Sequence, residues 1–154
     1  MSEHEPRDGS ALDAHEQDVA ASPDWILLSF IDLAELLDAE VEITLLVSGR
    51  TITGRLIGSK RYLLESIDDF KAFNHVTEQG RAFLDGLSQG YAKHVAALEQ
   101  RLATAEPLPS VHCIHLKNPI LVNEHTARPL GAVWRGRIDA IDGWSFGSLP
   151  LETL

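Results

Sequence analysis

The sequence predicts an α+β domain in which a small, strongly bent antiparallel sheet follows one apolar helix and is interrupted by a helical insertion. Three observations predict it. A nearly unbroken apolar run occupies 25–37; residues 41–58 and 111–149 alternate with a period of two around short glycine turns; and 59–106 return to helical spacing. With 154 residues, 16.9 kDa and 44% hydrophobic content, the chain can bury one core but has no room for two full-sized domains. The domain is accordingly placed at 23–154, with the insertion at about 59–106, behind an acidic tail at 1–22.

Residues 1–22 carry six acids against one arginine and show no apolar period, so disorder is expected there. Ser22, Pro23 and Asp24 then supply a cap, a first-turn proline and a first-turn acid for a helix over 24–38. Only Ser29, Asp32, Glu35 and Asp38 form its polar stripe, a narrower one than an ordinary surface helix carries. Most of its circumference wants cover, either from its own domain or from a second copy, with Leu33 and Leu37 as the residues expected to mediate self-association.

Val41, Ile43, Leu45 and Val47 alternate with Glu42, Thr44 and Leu46, and Ser48-Gly49-Arg50 turns the chain into a second strand. Between Ser59 and Leu102 the spacing of Leu63, Ile67, Phe70 and Phe73, then of Leu84, Leu87, Tyr91, Val95, Leu98 and Leu102, reads as two helices broken near Gly80. Residues 62–65 also fit a short strand. Val111 to Lys117 alternates, Lys117-Asn118-Pro119 reads as a turn, Ile120 to Val122 as a short strand and 126–131 as a loop. Val133 to Ile141 alternates again, and Asp142-Gly143 signals a hairpin returning through Trp144 and Phe146.

The net charge is −10, with the acid concentrated in the first 59 residues. Such a chain repels phosphate, so neither nucleic acid nor an anionic membrane surface is an expected partner. The single cysteine, Cys113, forms no internal disulfide, the start Met1–Pro6 lacks the blocks of a secretory signal, and no apolar run reaches the length of a membrane span. A cytoplasmic protein is expected.

Motifs that suggest chemistry give way to plainer readings. Gly143-Trp144-Ser145-Phe146-Gly147 matches the G-x-S-x-G nucleophile turn, but no helix follows and no histidine lies downstream of Ser145. His112 and His115, three apart on a strand, point to opposite faces, which leaves Cys113 and His115 as two ligands where zinc wants three or four. Gly54 to Lys60 misses the phosphate-loop spacing by one residue. No catalytic residue, metal or cofactor is expected. Arg135 and Arg137 share one strand face with Asp139, fitting either cross-strand ion pairs or an anchor for an acidic partner.

Two blocks carry a family likeness. Residues 41–58, Val-Glu-Ile-Thr-Leu-Leu-Val-Ser-Gly-Arg-Thr-Ile-Thr-Gly-Arg-Leu-Ile-Gly, form the first; Ile-His-Leu-Lys-Asn-Pro at 114–119 with Trp-Arg-Gly-Arg-Ile-Asp-Ala-Ile-Asp-Gly-Trp-Ser-Phe-Gly at 134–147 forms the second. Together they resemble the U-type gas-vesicle accessory proteins. The resemblance implies a non-enzymatic protein associated with gas vesicles in the cytoplasm, whose partners are the vesicle shell or other accessory proteins and further copies of itself. The helix followed by bent strands is also similar to an Sm-type, SH3-like small barrel. That is a likeness of fold and does not transfer RNA binding, though an Sm-like RNA-binding module is the alternative from another class.

Within the second block, tryptophan beside arginine is the composition of interface anchors, so Arg135, Arg137 and Trp144 are the expected partner-binding residues. Alternation turns Trp134 inward and the two arginines outward.

Overall fold

The computed structural model describes residues 24–124 and 126–149. The acidic segment 1–22, the Ser22–Pro23 helix start and His125 lie outside the described residues.

Helix α1 spans Trp25–Leu37, and its cap is Asp24, whose Oδ1 accepts from the amides of Ile26 at 2.9 Å and Leu27 at 3.3 Å. Leu27, Ile31 and Ala34 recur at helical spacing and are all buried in the core. Each of the two large side chains among them contributes roughly 1.5–3 kcal/mol of burial. The helix ends at Asp38, which takes the left-handed conformation.

Strands β1 (Val41–Val47) and β2 (Arg50–Ile57) pair antiparallel through a two-residue turn. Ser48 and Gly49 both have positive φ, 49° and 72°, the requirement of the turn whose twist matches a hairpin. Helices α2 (Ser59–Ala72) and α3 (Glu78–Ala103) follow, so 62–65 is helical and not a strand. The break falls at 73–77, ahead of Gly80, because Thr77 caps α3 by accepting from the Gly80 amide at 3.1 Å. Arg81 closes the other side of the break by donating to the carbonyls of Phe70 and Phe73.

The last third differs from the sequence reading in three places. Strand β3 runs from Cys113 to Asn123 straight through Asn118-Pro119, which is not a turn. Asn118 has φ of 50°, and the register to β2 shifts opposite it between Thr53 and Arg55; this bulge accommodates a proline within the strand. The expected loop after it contains the short edge strand β4 (Thr126–Pro129). Strand β5 (Val133–Arg137) is followed by a 3-10 turn at Ile138–Ala140 and then by β6 (Ile141–Phe146). Asp142-Gly143 therefore lies inside a strand, and Gly143 lacks the positive φ that the expected hairpin turn needs.

Six antiparallel strands form one sheet in the order β4-β3-β2-β1-β6, with β5 also paired to β3. β5 and β6 do not pair with each other, so the sheet is open. The α+β class stands, and the closed Sm/SH3-like barrel does not. The core lies between α1 and one face of the sheet, where Ile43, Leu45, Leu56, Ile114 and Leu116 are almost fully buried and Ile138 of the 3-10 turn joins them.

Candidate functional site

Alternation along β5 decides the position of each candidate side chain. Trp134 and Gly136 stand opposite Leu116 and Ile114 on the core face, while Arg135 and Arg137 stand opposite His115 and Cys113 on the outer face. The six-membered ring of Trp134 lies against Gly136: a Cβ built at that glycine would come within 2.1 Å of it. The ring is half-buried against the core, and both arginines are exposed, as alternation predicts.

The two arginines differ in their partners. Arg137 is held by Asp139 through Nε to Oδ1 at 2.8 Å and through a second contact to Oδ2; the pairing raises the pKa of Arg137 and lowers that of Asp139. Arg135 has no carboxylate partner among the described residues. Its pKa is raised chiefly by the neighbouring Cys113 sulfur. Beside it, His115 is 4% exposed and stacks on Tyr62 of α2 with ring centroids 4.5 Å apart. Burial first, and then the charge of Arg135, pushes the His115 pKa down to about 4. Glu35, Ser59, Cys113, His115 and Arg135 share the wall of a cavity of about 150 Å³.

Trp144 lies elsewhere. It is on β6, next to β1 and on the core face, where its Nε1 donates to Asp24 Oδ2 at 2.8 Å and thereby lowers the Asp24 pKa. Its ring meets Phe30 and Phe146 edge-on at 5.7 and 5.2 Å. The structure thus brings Arg135 and Arg137 together and uses Trp144 to anchor the start of α1, at the other end of the strand order.

The sequence model of the family described as gas vesicle protein GvpU-like matches residues 24–149. The chain belongs to the GvpU-like family of gas vesicle proteins. This is an accessory gas-vesicle family and not a known enzyme family. No curated protein and no solved structure matches the chain. The matched span opens at the α1 cap and closes just beyond β6, so it includes the helical insertion as well as the two strand blocks that carry the likeness.

In this GvpU-like chain Leu33 and Leu37 are 46% and 69% exposed on the side of α1 turned away from the sheet, together with Ile26 and Leu36. Ser145 is an exposed residue within β6, and no helix follows it among the described residues, so it lacks the strand-to-helix geometry of a nucleophile turn. Among the described residues no group of three or more His, Cys, Asp or Glu is placed to hold a metal, and no helix is long and apolar enough to cross a membrane.

Glu35 is the residue whose role sequence reasoning missed. Placed in the polar stripe of α1, it is in fact 9% exposed, and its Oε1 accepts both the amide (2.7 Å) and the hydroxyl (2.6 Å) of Ser59. Gly58 precedes α2 without a side-chain cap, and Glu35 supplies that function from another helix. Its spacing from Leu27 and Ile31 was the available signal; its partner, 24 residues away, was not readable.

Proposed function

We propose that this protein is a non-enzymatic, cytoplasmic accessory factor that acts in the assembly, organisation or clustering of gas vesicles, through contacts with vesicle components and with copies of itself. The family match over 24–149 carries the reading. Arg135 supports it as the point of contact: it is exposed, lacks an acidic partner among the described residues and stands on a rigid strand, which suits an anchor for an acidic protein surface. Leu33 and Leu37 support self-association, because an apolar helix face left in water is a ready contact for another such face.

The test is flotation with purified gas vesicles, with cell lysate added to supply any bridging accessory protein. Wild type floats, and the Arg135→Ala/Arg137→Ala variant stays behind with its unfolding free energy changed by no more than about 0.5 kcal/mol, as for surface changes. Wild type that remains soluble across a range of salt sinks the vesicle-binding reading. Tight, salt-sensitive RNA binding would count against it.

A further inference from the structure

Besides the short edge strand β4, where Pro129 has no amide to donate, the sheet leaves two main-chain edges open, and the ladder phase shows which groups each one offers. On β6 the Gly147 amide donates to the Glu42 carbonyl at 2.8 Å. Residues 42 and 147 are thus a bonded pair, and in an antiparallel ladder bonded and non-bonded pairs alternate. With Ile43 opposite Phe146, Thr44 opposite Ser145 and Leu45 opposite Trp144, the amides and carbonyls of Trp144 and Phe146 point away from β1. On β5 the same argument starts from the Ile138 amide bonded to the His112 carbonyl and the Asn118 amide bonded to the Ala132 carbonyl. There the outward groups belong to Val133, Arg135 and Arg137.

The two edges differ in how they are guarded. β5 carries two arginines on its outward-bonding positions, and edge charges of this kind oppose strand addition. β6 has no charged residue from Gly143 to Gly147, and Phe146 beside it is 54% exposed. The described residues after β6 turn away from this edge: the Ser148 hydroxyl donates to Glu42, and Leu149 lies in a groove with Thr53, Lys117 and Ile120 over the outer face.

Pairing parity then selects the partner. Antiparallel strands place directly opposed side chains on the same face. If β6 meets β6 of a second copy, Trp144 opposes the other Phe146; both belong to core faces, and the two cores lie on one side of a continuous sheet. If β6 meets β5 of a second copy, core-face Trp144 or Phe146 opposes outer-face Val133, Arg135 or Arg137, and the second core is turned to the wrong side. If β5 meets β5, arginines oppose arginines.

The geometry points to a two-fold dimer of this chain, formed by antiparallel pairing of the two β6 strands about Ser145. In that register Trp144 and Phe146 each make both main-chain bonds across the axis. The small Ser145 occupies the non-bonded pair, where Cα atoms approach to about 4.5 Å. Phe30 of α1 packs on both Trp144 and Phe146 and shares its helix stripe with Leu33 and Leu37, so that apolar face adjoins the β6 edge; the pairing does not depend on vesicle binding.

The test uses the full chain with Cys113→Ala, which removes the native thiol. Light scattering reports a dimer, and Phe146→Pro, which deletes an outward amide and leaves the Gly147–Glu42 bond, weakens it by about tenfold or more. Independently, Ser145→Cys forms an intermolecular disulfide with oxidised glutathione far faster than Thr126→Cys on β4, because its separation across the axis suits the bond. A monomer before Phe146→Pro is added, a dimer unaffected by it, or equal crosslinking at positions 145 and 126 would overturn the proposal.

Discussion

His115 is a base kept neutral by its surroundings, and that makes it a stability sensor. Its pKa is about 4 in the folded chain against 6.5 as the ordinary value. Between these values the unfolded chain binds a proton that the folded chain refuses, so stability falls as pH drops through that window and is insensitive to His115 above it. The contribution lost by pH 5 is roughly 2 kcal/mol. Thermal melts at pH 7 and pH 5 should therefore show a steeper loss for wild type than for His115→Gln, which keeps a neutral polar side chain and cannot titrate. Equal slopes would mean that the imidazole is hydrated in the folded state. Arg135 and Arg137 were legible at this scale because alternation alone decides the face of a strand residue. The division of labour between them was not, because it depends on Asp139 reaching back to one guanidinium only.

The junction between α1 and α2 is held by two residues that do different things. Glu35 satisfies the Ser59 amide and hydroxyl, and Gly58 admits the close approach: a Cβ there would sit 2.8 Å from the Ala34 carbonyl oxygen and 3.1 Å from the Glu35 Cα. Backbone cannot give way as a side-chain tip can, so Gly58→Ala should cost about 1–3 kcal/mol. Glu35→Ala should cost about 1–2 kcal/mol by leaving the start of α2 uncapped. Urea titration measures both, and Glu35→Gln should recover part of the second loss, since its amide oxygen also accepts. A neutral Glu35→Ala would show that water caps α2 equally well. Elements whose signals are local were read correctly: α1 from its apolar run, although Asp24, read as a first-turn acid, is its cap, and the β1–β2 hairpin from Ser48-Gly49. Strand β3 was split in two because Asn118-Pro119 carries turn chemistry, and only its pairing with β2 on both sides of the bulge keeps it one strand.

For the molecule as a whole, the α+β class followed from where the period changes, and those changes are visible along the chain. Closure of the sheet was not visible, because it depends on whether β5 and β6 meet after the 3-10 turn, and Asp142-Gly143 suggested a turn that the backbone does not make. Trp144 shows the same limit from the side of the site. Its composition marked it as an anchor, but what it anchors within this chain, the α1 cap 120 residues earlier, is a contact that no local pattern encodes.

The insertion of α2 and α3 between β2 and β3 also dictates an order of events. Ile57 and His115 face each other across a ladder although they lie on either side of the entire helical hairpin. Joining them requires closure of a long loop, whereas β1 with β2 and α2 with α3 need only their own turns. The transition state for folding should thus contain the β1–β2 hairpin and lack β4, whose pairing waits on β3. Truncating Leu45 or Ile52 to alanine should slow refolding, while Ala127→Gly, on β4 itself opposite Val122, should mainly speed unfolding in a denaturant chevron. A chain built this way has its slowest step in the return of β3, and until that step is complete β2 presents an unpaired edge of its own to every other copy in the solution.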